Sequence, residues 1–390
     1  MKGRATMSEM TGYGADTLDG SIRSRFVEGV NGLTVHILEA GWADGDRPRI
    51  LLLHGFPEIA YSWRKVMPML AAAGFHVVAP DQRGYGLTTG WSAEYDDSLI
   101  PYGMLNLTRD AVGLVSALGW DSVDGVFGHD FGSPVAAYCA LIRPDIFRSV
   151  VTMSGPFGGA PGLPAGELRG SGAAGSESIA DDLAALDRPR KHYQLYYCTR
   201  PADADMTNAP QGVHDFLRAY YHHKSADWQQ NRPHPLEAWS ATELAKLPTY
   251  YVMDLDEDMP TTVAHEMPSA EEIASCTWLT EAEMAVYAGE YSRNGFQGGL
   301  NWYRATRDPE CVAQLQLFHG RTIDVPAAFI GGASDWGVYQ SPGGWDRMAT
   351  ACTKLQGMHL VDGAGHWVQQ EQPEAVTELL LGFLDETSLV

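Results

Sequence analysis

Apolar and polar positions along the chain alternate in two different rhythms. Over residues 26–40, Leu33, Val35 and Ile37 alternate with polar positions after an Asn31-Gly32 turn signal, which predicts a hairpin and an antiparallel opening to a sheet. Short apolar runs follow at 50–53, 75–79, 123–127 and 150–153, the pattern of strands buried on both faces of a parallel sheet. Helix-length segments separate them. At 104–118, Leu107, Ala111, Leu114, Val115 and Leu118 fall on one helical face and Gly119 supplies a stop. Strands and helices alternating in this way imply an α/β protein with a mostly parallel twisted sheet flanked by helices.

The rhythm breaks after Met153, and strand signals resume only at 325–330 and 358–361. The stretch between, 157–315, is far longer than a connection of about 2–6 residues, so an inserted helical cap, a lid over the sheet edge, is expected there. Its lead-in, 155–175, carries eight glycines and is expected to be flexible. Further on, Ser269 with Glu272 and Thr280 with Glu283 have capping-box spacing, and Met284, Tyr287 and Tyr291 form a stripe ending at Asn294-Gly295. The expected division is a flexible N-terminal tail over 1–24, in which Met7 is an alternative start, a first core part over 25–156, the insertion over 157–315 and a second core part over 316–390.

Composition narrows the function classes. A chain of 390 residues, 45% hydrophobic and 19% charged, has the material for a packed core and a closed site. Its net charge of -22 repels phosphate backbones and anionic lipid, so neither nucleic acid nor a membrane is an expected partner; monomer and homo-oligomer are equally compatible with it. Five cysteines, widely spread and with no CxxC pair, read as reduced structural thiols. With no apolar signal segment and no run of membrane-crossing length, a cytoplasmic location is expected.

The candidate chemistry begins at Gly128-His129-Asp130-Phe131-Gly132, between a predicted strand and a predicted helix over 134–142. Small residues two positions either side of the centre suit a nucleophile on a sharp strand-to-helix turn, where bulkier flanks would clash. A central Asp needs no base for activation and can attack a saturated carbon to form an ester. An Asp at a helix N-terminus is also an ordinary cap, so its partners matter. His366, in Gly363-Ala364-Gly365-His366-Trp367, and Asp335, in Gly331-Gly332-Ala333-Ser334-Asp335-Trp336, each follow a predicted strand, in the order nucleophile, acid, His. His54-Gly55-Phe56-Pro57 follows the run 50–53, where an oxyanion-hole loop belongs, and the N–H groups of Phe56 and Phe131 are expected to converge on the ester carbonyl of Asp130. Taken alone, those four residues would be a turn, and His54 is read as structural. Trp336 and Trp367 are candidates for the pocket wall, with core packing the competing role. Asp81 and Arg83 are expected to brace the turn after their strand, through a salt bridge. No HExxH, P-loop or GxGxxG fingerprint appears, and His222-His223 has the wrong spacing for two ligands on one helix face, so no metal and no organic cofactor is expected.

With HGFP, Asp81-Gln82-Arg83-Gly84-Tyr85-Gly86, the Asp130 elbow and GAGHW in this order, the chain resembles the epoxide hydrolases of the α/β-hydrolase superfamily over about residues 25–385. The resemblance is to the Asp-nucleophile branch, the soluble epoxide hydrolase type, which also holds the haloalkane and fluoroacetate dehalogenases. It implies an α/β-hydrolase fold with a cap, a small hydrophobic epoxide as substrate and a vicinal diol as product, through an alkyl ester on Asp130 that His366, oriented by Asp335, hydrolyses. Members carry two lid tyrosines that hold and protonate the epoxide oxygen. Gly299-Leu300-Asn301-Trp302-Tyr303-Arg304 matches the motif containing one, pointing to Tyr303; Tyr193, in Tyr193-Gln194-Leu195-Tyr196-Tyr197, corresponds best to the other, with Tyr196 and Tyr197 as alternatives read as packing. A phenol, with an ordinary pKa of about 10, is a far better acid than an alcohol yet stays protonated at neutral pH.

Relatives in the branch differ at two positions. Haloalkane dehalogenases bind the departing halide with a Trp beside the nucleophile, often with an Asn in the HGxP position; here Phe131 and Phe56 stand there and cannot donate from their side chains. Fluoroacetate dehalogenases place an Arg after the nucleophile, a role Phe131 cannot fill. Phe131 also departs from the Trp of many epoxide hydrolases. The alternatives are a dehalogenase-like hydrolase and a non-catalytic binding protein of the same fold.

Overall fold

In the computed structural model of the chain, which describes residues 12–43, 45–163 and 171–387, the strands are β1 (Ile22–Val30), β2 (Leu33–Ala40), β3 (Arg49–Leu53), β4 (His76–Pro80), β5 (Gly125–His129), β6 (Val150–Met153), β7 (Arg190–His192), β8 (Val252–Asp254), β9 (Ala327–Gly332) and β10 (Leu355–Val361). Eight of them form one sheet in the order β1-β2-β4-β3-β5-β6-β9-β10. The pairings β1/β2 and β2/β4 are antiparallel and the rest parallel. This is an α/β-hydrolase fold. Alternate residues of the central strands serve opposite faces: Leu51, Leu53, Val126 and Val150 join one core with Leu107, Leu114 and Val135, while Ile50, Leu52, Phe127 and Val151 join a second with Leu70, Leu380 and Phe383. Burial on both faces is why these strands read as unbroken apolar runs. From β3 the chain passes to β4 on one side and returns to β5 on the other, so the loops leaving β3 and β5 part and open a crevice at the strands' C-terminal ends.

Between β6 and β9 the chain leaves the sheet for a succession of helices running from Ser171–Ala184 to Pro309–Gln316, with β7 and β8 paired as a two-stranded ribbon that three-residue strands gave no sign of in the sequence. Both capping boxes form, on the helices Ala270–Ser275 and Glu281–Asn294, and Met284, Tyr287 and Tyr291 are buried. The insertion seats on the crevice by close backbone contact: a Cβ on Gly298 would lie 2.1 Å from the Gly84 carbonyl oxygen, so neither partner tolerates a side chain. Beside it the Trp302 indole N–H donates to the Arg83 carbonyl (2.9 Å). Buried Arg64 ties the same layers, bonding Glu283 (2.8 Å), Gln370 (2.7 Å) and the Trp278 carbonyl (3.1 Å).

Three expectations need correction. The tail is shorter than 1–24: residues 1–11 lie outside the described residues, but Tyr13 donates to buried Asp81 (2.5 Å) and β1 already begins at Ile22. Within the glycine-rich lead-in, 164–170 lie outside the described residues, and its end belongs to the helix Ser171–Ala184. Asp81 and Arg83 brace their turn separately. Asp81 bonds His36 Nδ1 (2.8 Å) and the N–H groups of Ala60 and Leu87 (2.9 Å each), whereas Arg83 grips Asp110 with two nitrogens (2.7 and 2.8 Å). Among the described residues no helix is long and apolar enough to cross a membrane.

Candidate active site

Asp130 sits at the end of β5 with φ +50°, in the left-handed region that costs a non-glycine residue about 1 kcal/mol or more. Its neighbours make that turn possible. A Cβ on Gly128 would lie 2.1 Å from the Gly132 oxygen, and one on Gly132 would lie 2.2 Å from the Leu53 oxygen, so the spacing of small residues is a packing requirement. Ser133 Oγ accepts the Met153 N–H (2.8 Å) and pins the turn to β6.

The two carboxylate oxygens of Asp130 meet different partners. Oδ1 accepts the Phe56 N–H at 2.8 Å, and Oδ2 lies 3.4 Å from His366 Nε2. A Cβ on Gly55 would sit 2.4 Å from Asp130 Oδ1 and 2.7 Å from the Phe131 nitrogen, so this glycine keeps open the space that the Phe56 and Phe131 amides face. His366 Nδ1 is 3.2 Å from Asp335 Oδ1 and 3.0 Å from Ser154 Oγ, and Asp335 Oδ1 also accepts the Gly337 N–H (2.7 Å). A proton on Nδ1 satisfies that side, and Nε2 faces Asp130. Burial pushes the Asp130 carboxyl up, but His366, with Lys224 and His129, outweighs it and holds the group below the usual carboxylate range. Asp335 is also held low, His366 and the Ser154 and Gly337 donors overcoming its burial.

Three contributors escaped the sequence reading. Ser154, at φ +72° directly after β6, is the second polar contact of His366 Nδ1. Glu58 and His129 form a buried pair (2.7 Å), in which Glu58 also accepts from the Gly55 N–H (3.1 Å), Gln369 (2.9 Å) and Gln370 (3.1 Å). The other nitrogen of His129 faces the His366 carbonyl at 2.7 Å, so both ring nitrogens meet acceptors and the imidazolium satisfies both; its pKa is raised by Glu58 against the effect of burial. The signal for this pair was adjacency: Glu58 follows HGFP and His129 precedes the nucleophile. Glu371, buried, accepts N–H bonds from Gly365 (2.9 Å), Trp367 (2.9 Å) and Ala226 (2.8 Å), fixing the loop either side of His366 to the insertion. Burial pushes its carboxyl up to about 8 against those three donors.

Above Asp130 the insertion supplies tyrosines. The Tyr303 ring lies 4.9 Å from Phe131, 5.6 Å from Phe56 and 6.0 Å from Tyr193. Burial, and secondarily the Asp130 charge, raise the pKa of both Tyr193 and Tyr303 well above the ordinary phenol value, so both keep their protons. The alternatives are engaged elsewhere: Tyr196 donates to Asp205 (2.9 Å) and Tyr197 to the Tyr220 hydroxyl (3.2 Å), while the Tyr193 oxygen accepts from Gln194 (3.2 Å) and keeps its own proton free. Trp367 stacks on Tyr221 at 4.1 Å and donates to the Tyr221 carbonyl (2.9 Å); Trp336 lies edge-on to His234 at 4.8 Å. His54 Nε2 accepts the Gln82 N–H (3.1 Å), consistent with bracing. Trp239, in the stretch between β6 and β9, is half exposed. Among the described residues no cluster of His, Cys, Asp and Glu has the geometry to hold a metal ion.

Comparison with known proteins adds a family. The family model for the alpha/beta hydrolase fold matches residues 48–197. Epoxide hydrolase A of Mycobacterium tuberculosis (strain ATCC 25618 / H37Rv) is 33% identical over 368 residues, 94% of this chain and 98% of that protein. The solved structure of an epoxide hydrolase from an endophytic Streptomyces superposes with a TM-score of 0.74 at 32% identity, covering 94% of this chain and 96% of the other. That of potato (Solanum tuberosum) epoxide hydrolase I gives 0.71 at 28% identity, covering 94% and 99%.

Proposed function

The chain belongs to the epoxide hydrolases of the α/β-hydrolase fold, and from that premise we propose that it converts a hydrophobic epoxide to a vicinal diol through an ester on Asp130. The observation that carries the assignment of roles is the division of the Asp130 carboxylate, Oδ1 on the Phe56 N–H and Oδ2 toward His366, beneath Tyr193 and Tyr303. Oδ2 attacks a ring carbon, the carbon–oxygen bond breaks, and the ring oxygen takes a phenolic proton from Tyr303 or Tyr193. His366 Nε2 then removes a proton from water, whose oxygen bonds to Asp130 Cγ. Charge developing on Oδ1 is held by the Phe56 and Phe131 N–H groups. The Cγ–Oδ2 bond breaks, the diol leaves with Oδ2, and the proton on His366 passes to it; the water's second proton, left on the Asp130 carboxyl, returns to the tyrosinate and restores both groups. Asp335 and Ser154 orient the imidazole throughout.

In this reading residues 157–315 act as the cap, bounded by core parts over 25–156 and 316–390, and Trp336 and Trp367 back the pocket beside the acid and the base. The chain works in the cytoplasm, a placement supported by five unpaired cysteines. A panel of epoxides scored for diol tests the assignment, with Asp130→Asn expected to be inactive and His366→Gln expected to accumulate a covalent adduct on Asp130, seen by mass spectrometry. No adduct in the His366 variant would remove the two-step mechanism.

A further inference from the structure

Lys224 ends the helix Gly212–Lys224 and is 2% exposed. Its ammonium has neither an ion-pair partner nor a hydrogen-bond acceptor among the described residues. It is surrounded by rings, Nζ lying 5.0 Å from the centroid of Tyr251, 5.3 Å from Tyr220, 5.4 Å from Trp367 and 5.7 Å from Tyr250. Ring faces recover only part of the hydration a buried ammonium loses, and an apolar side chain would fill the same cage without that loss, so the charge calls for another reason. A second donor stands next to it: the Tyr251 hydroxyl is buried with no hydrogen bond among the described residues.

Both groups border the reacting centre. Tyr251 packs on Tyr193 at 5.1 Å, the Trp367 ring beneath Lys224 lies 4.6 Å from the His366 ring, and the Lys224 carbonyl accepts the His366 N–H (2.9 Å). Asp130 feels the Lys224 charge. That field stabilises the carboxylate and therefore opposes its attack on a neutral substrate; an anion seated on the ammonium cancels it.

We propose that Lys224 Nζ and the Tyr251 hydroxyl form an anion subsite that seats a carboxylate of the substrate, so that the preferred epoxides carry a carboxylate on an otherwise hydrophobic body. The subsite rests on the reading of Asp130 as nucleophile. It presents the ammonium's three N–H donors and a phenol O–H, the complement of a carboxylate that brings acceptors alone. Lys224 is then a specificity-determining residue, with no part in bond making.

The test compares kcat/KM for diol formation from 3-phenylglycidate and from its neutral analogue 3-phenylglycidamide, in wild type, Lys224→Met and Tyr251→Phe. Wild type should favour the carboxylate by about tenfold or more, Lys224→Met should lower that ratio by about 10- to 100-fold, and Tyr251→Phe by less. Phenylacetate should also inhibit wild type about tenfold better than phenylacetamide, a measurement that stands if the Met variant does not fold. Equal inhibition by the two, or a ratio that survives Lys224→Met, overturns the subsite. Turnover of the amide without preference for the acid also overturns it and leaves the hydrolase intact; no diol from either substrate and no adduct on Asp130 removes nucleophile and subsite together.

Discussion

Ser154 occupies the same place after β6 that Asp130 occupies after β5, and both carry positive φ angles. Its hydroxyl shares His366 Nδ1 with Asp335, so the base is oriented by two groups. Glycine fits the backbone at this position without strain but lacks the hydroxyl. Ser154→Gly should therefore leave Tm within a few degrees of wild type, while hydrolysis of the preformed ester, followed in single turnover, slows by about tenfold. The role proposed for Tyr303 lies in the other half-reaction. Its phenol, kept protonated by burial and by the Asp130 charge, is expected to protonate the opening ring, so Tyr303→Phe should slow ester formation by about 100-fold and ester hydrolysis far less. Stopped-flow kinetics separate the two phases, and a larger effect on hydrolysis would move Tyr303 out of the acid role.

The helix Gly212–Lys224 carries the cage of Lys224 at its last residue and His223 just before it. His223 packs against Trp228 (4.5 Å) and Tyr250 (4.7 Å), neither ring nitrogen has a partner among the described residues, and burial lowers its pKa to about 3. The fold thus keeps His223 neutral, whereas the unfolded chain protonates it near pH 6.5. Stability from this position is complete above about pH 6.5 and is lost as pH falls toward 3, amounting to about 2 kcal/mol at pH 5. His192, also lowered to about 3 by burial and by Arg307, acts in the same sense. Urea unfolding at pH 7 and pH 5 should show a pH penalty about 2 kcal/mol smaller in His223→Phe than in wild type, since the phenyl ring fits among the same aromatics and takes no proton. An unchanged penalty would show that His223 is not held neutral.

Taken whole, the molecule is a strongly acidic body. A net charge of -22 repels itself across the surface, so Tm should rise by a few degrees between about 10 and about 300 mM NaCl, read by differential scanning fluorimetry; no rise would mean the carboxylates are already paired. The layout of this body was legible where local pattern and tertiary role coincide. The central strands are apolar because both faces are buried, and Asp130 and Asp335 stood out because each follows such a strand; His366 follows β10, the edge strand, of which only Val361 is buried. What the sequence did not disclose is what arises between distant elements: Ser154 beside His366, Lys224 among rings from three segments, and Tyr13 reaching Asp81. No local spacing encodes those meetings.

The backbone contact between Gly84 and Gly298 has a consequence for recombination among relatives. The helix Gln297–Ala305, which carries Tyr303, is seated on residues 81–86 of the other layer and not on its own neighbours alone. A chimera that exchanges residues 157–315 between two hydrolases while keeping the recipient's 81–86 would join surfaces shaped for different partners. The unit of exchange is therefore discontinuous, and crossover points that carry both segments together are those at which a library retains a working proton donor.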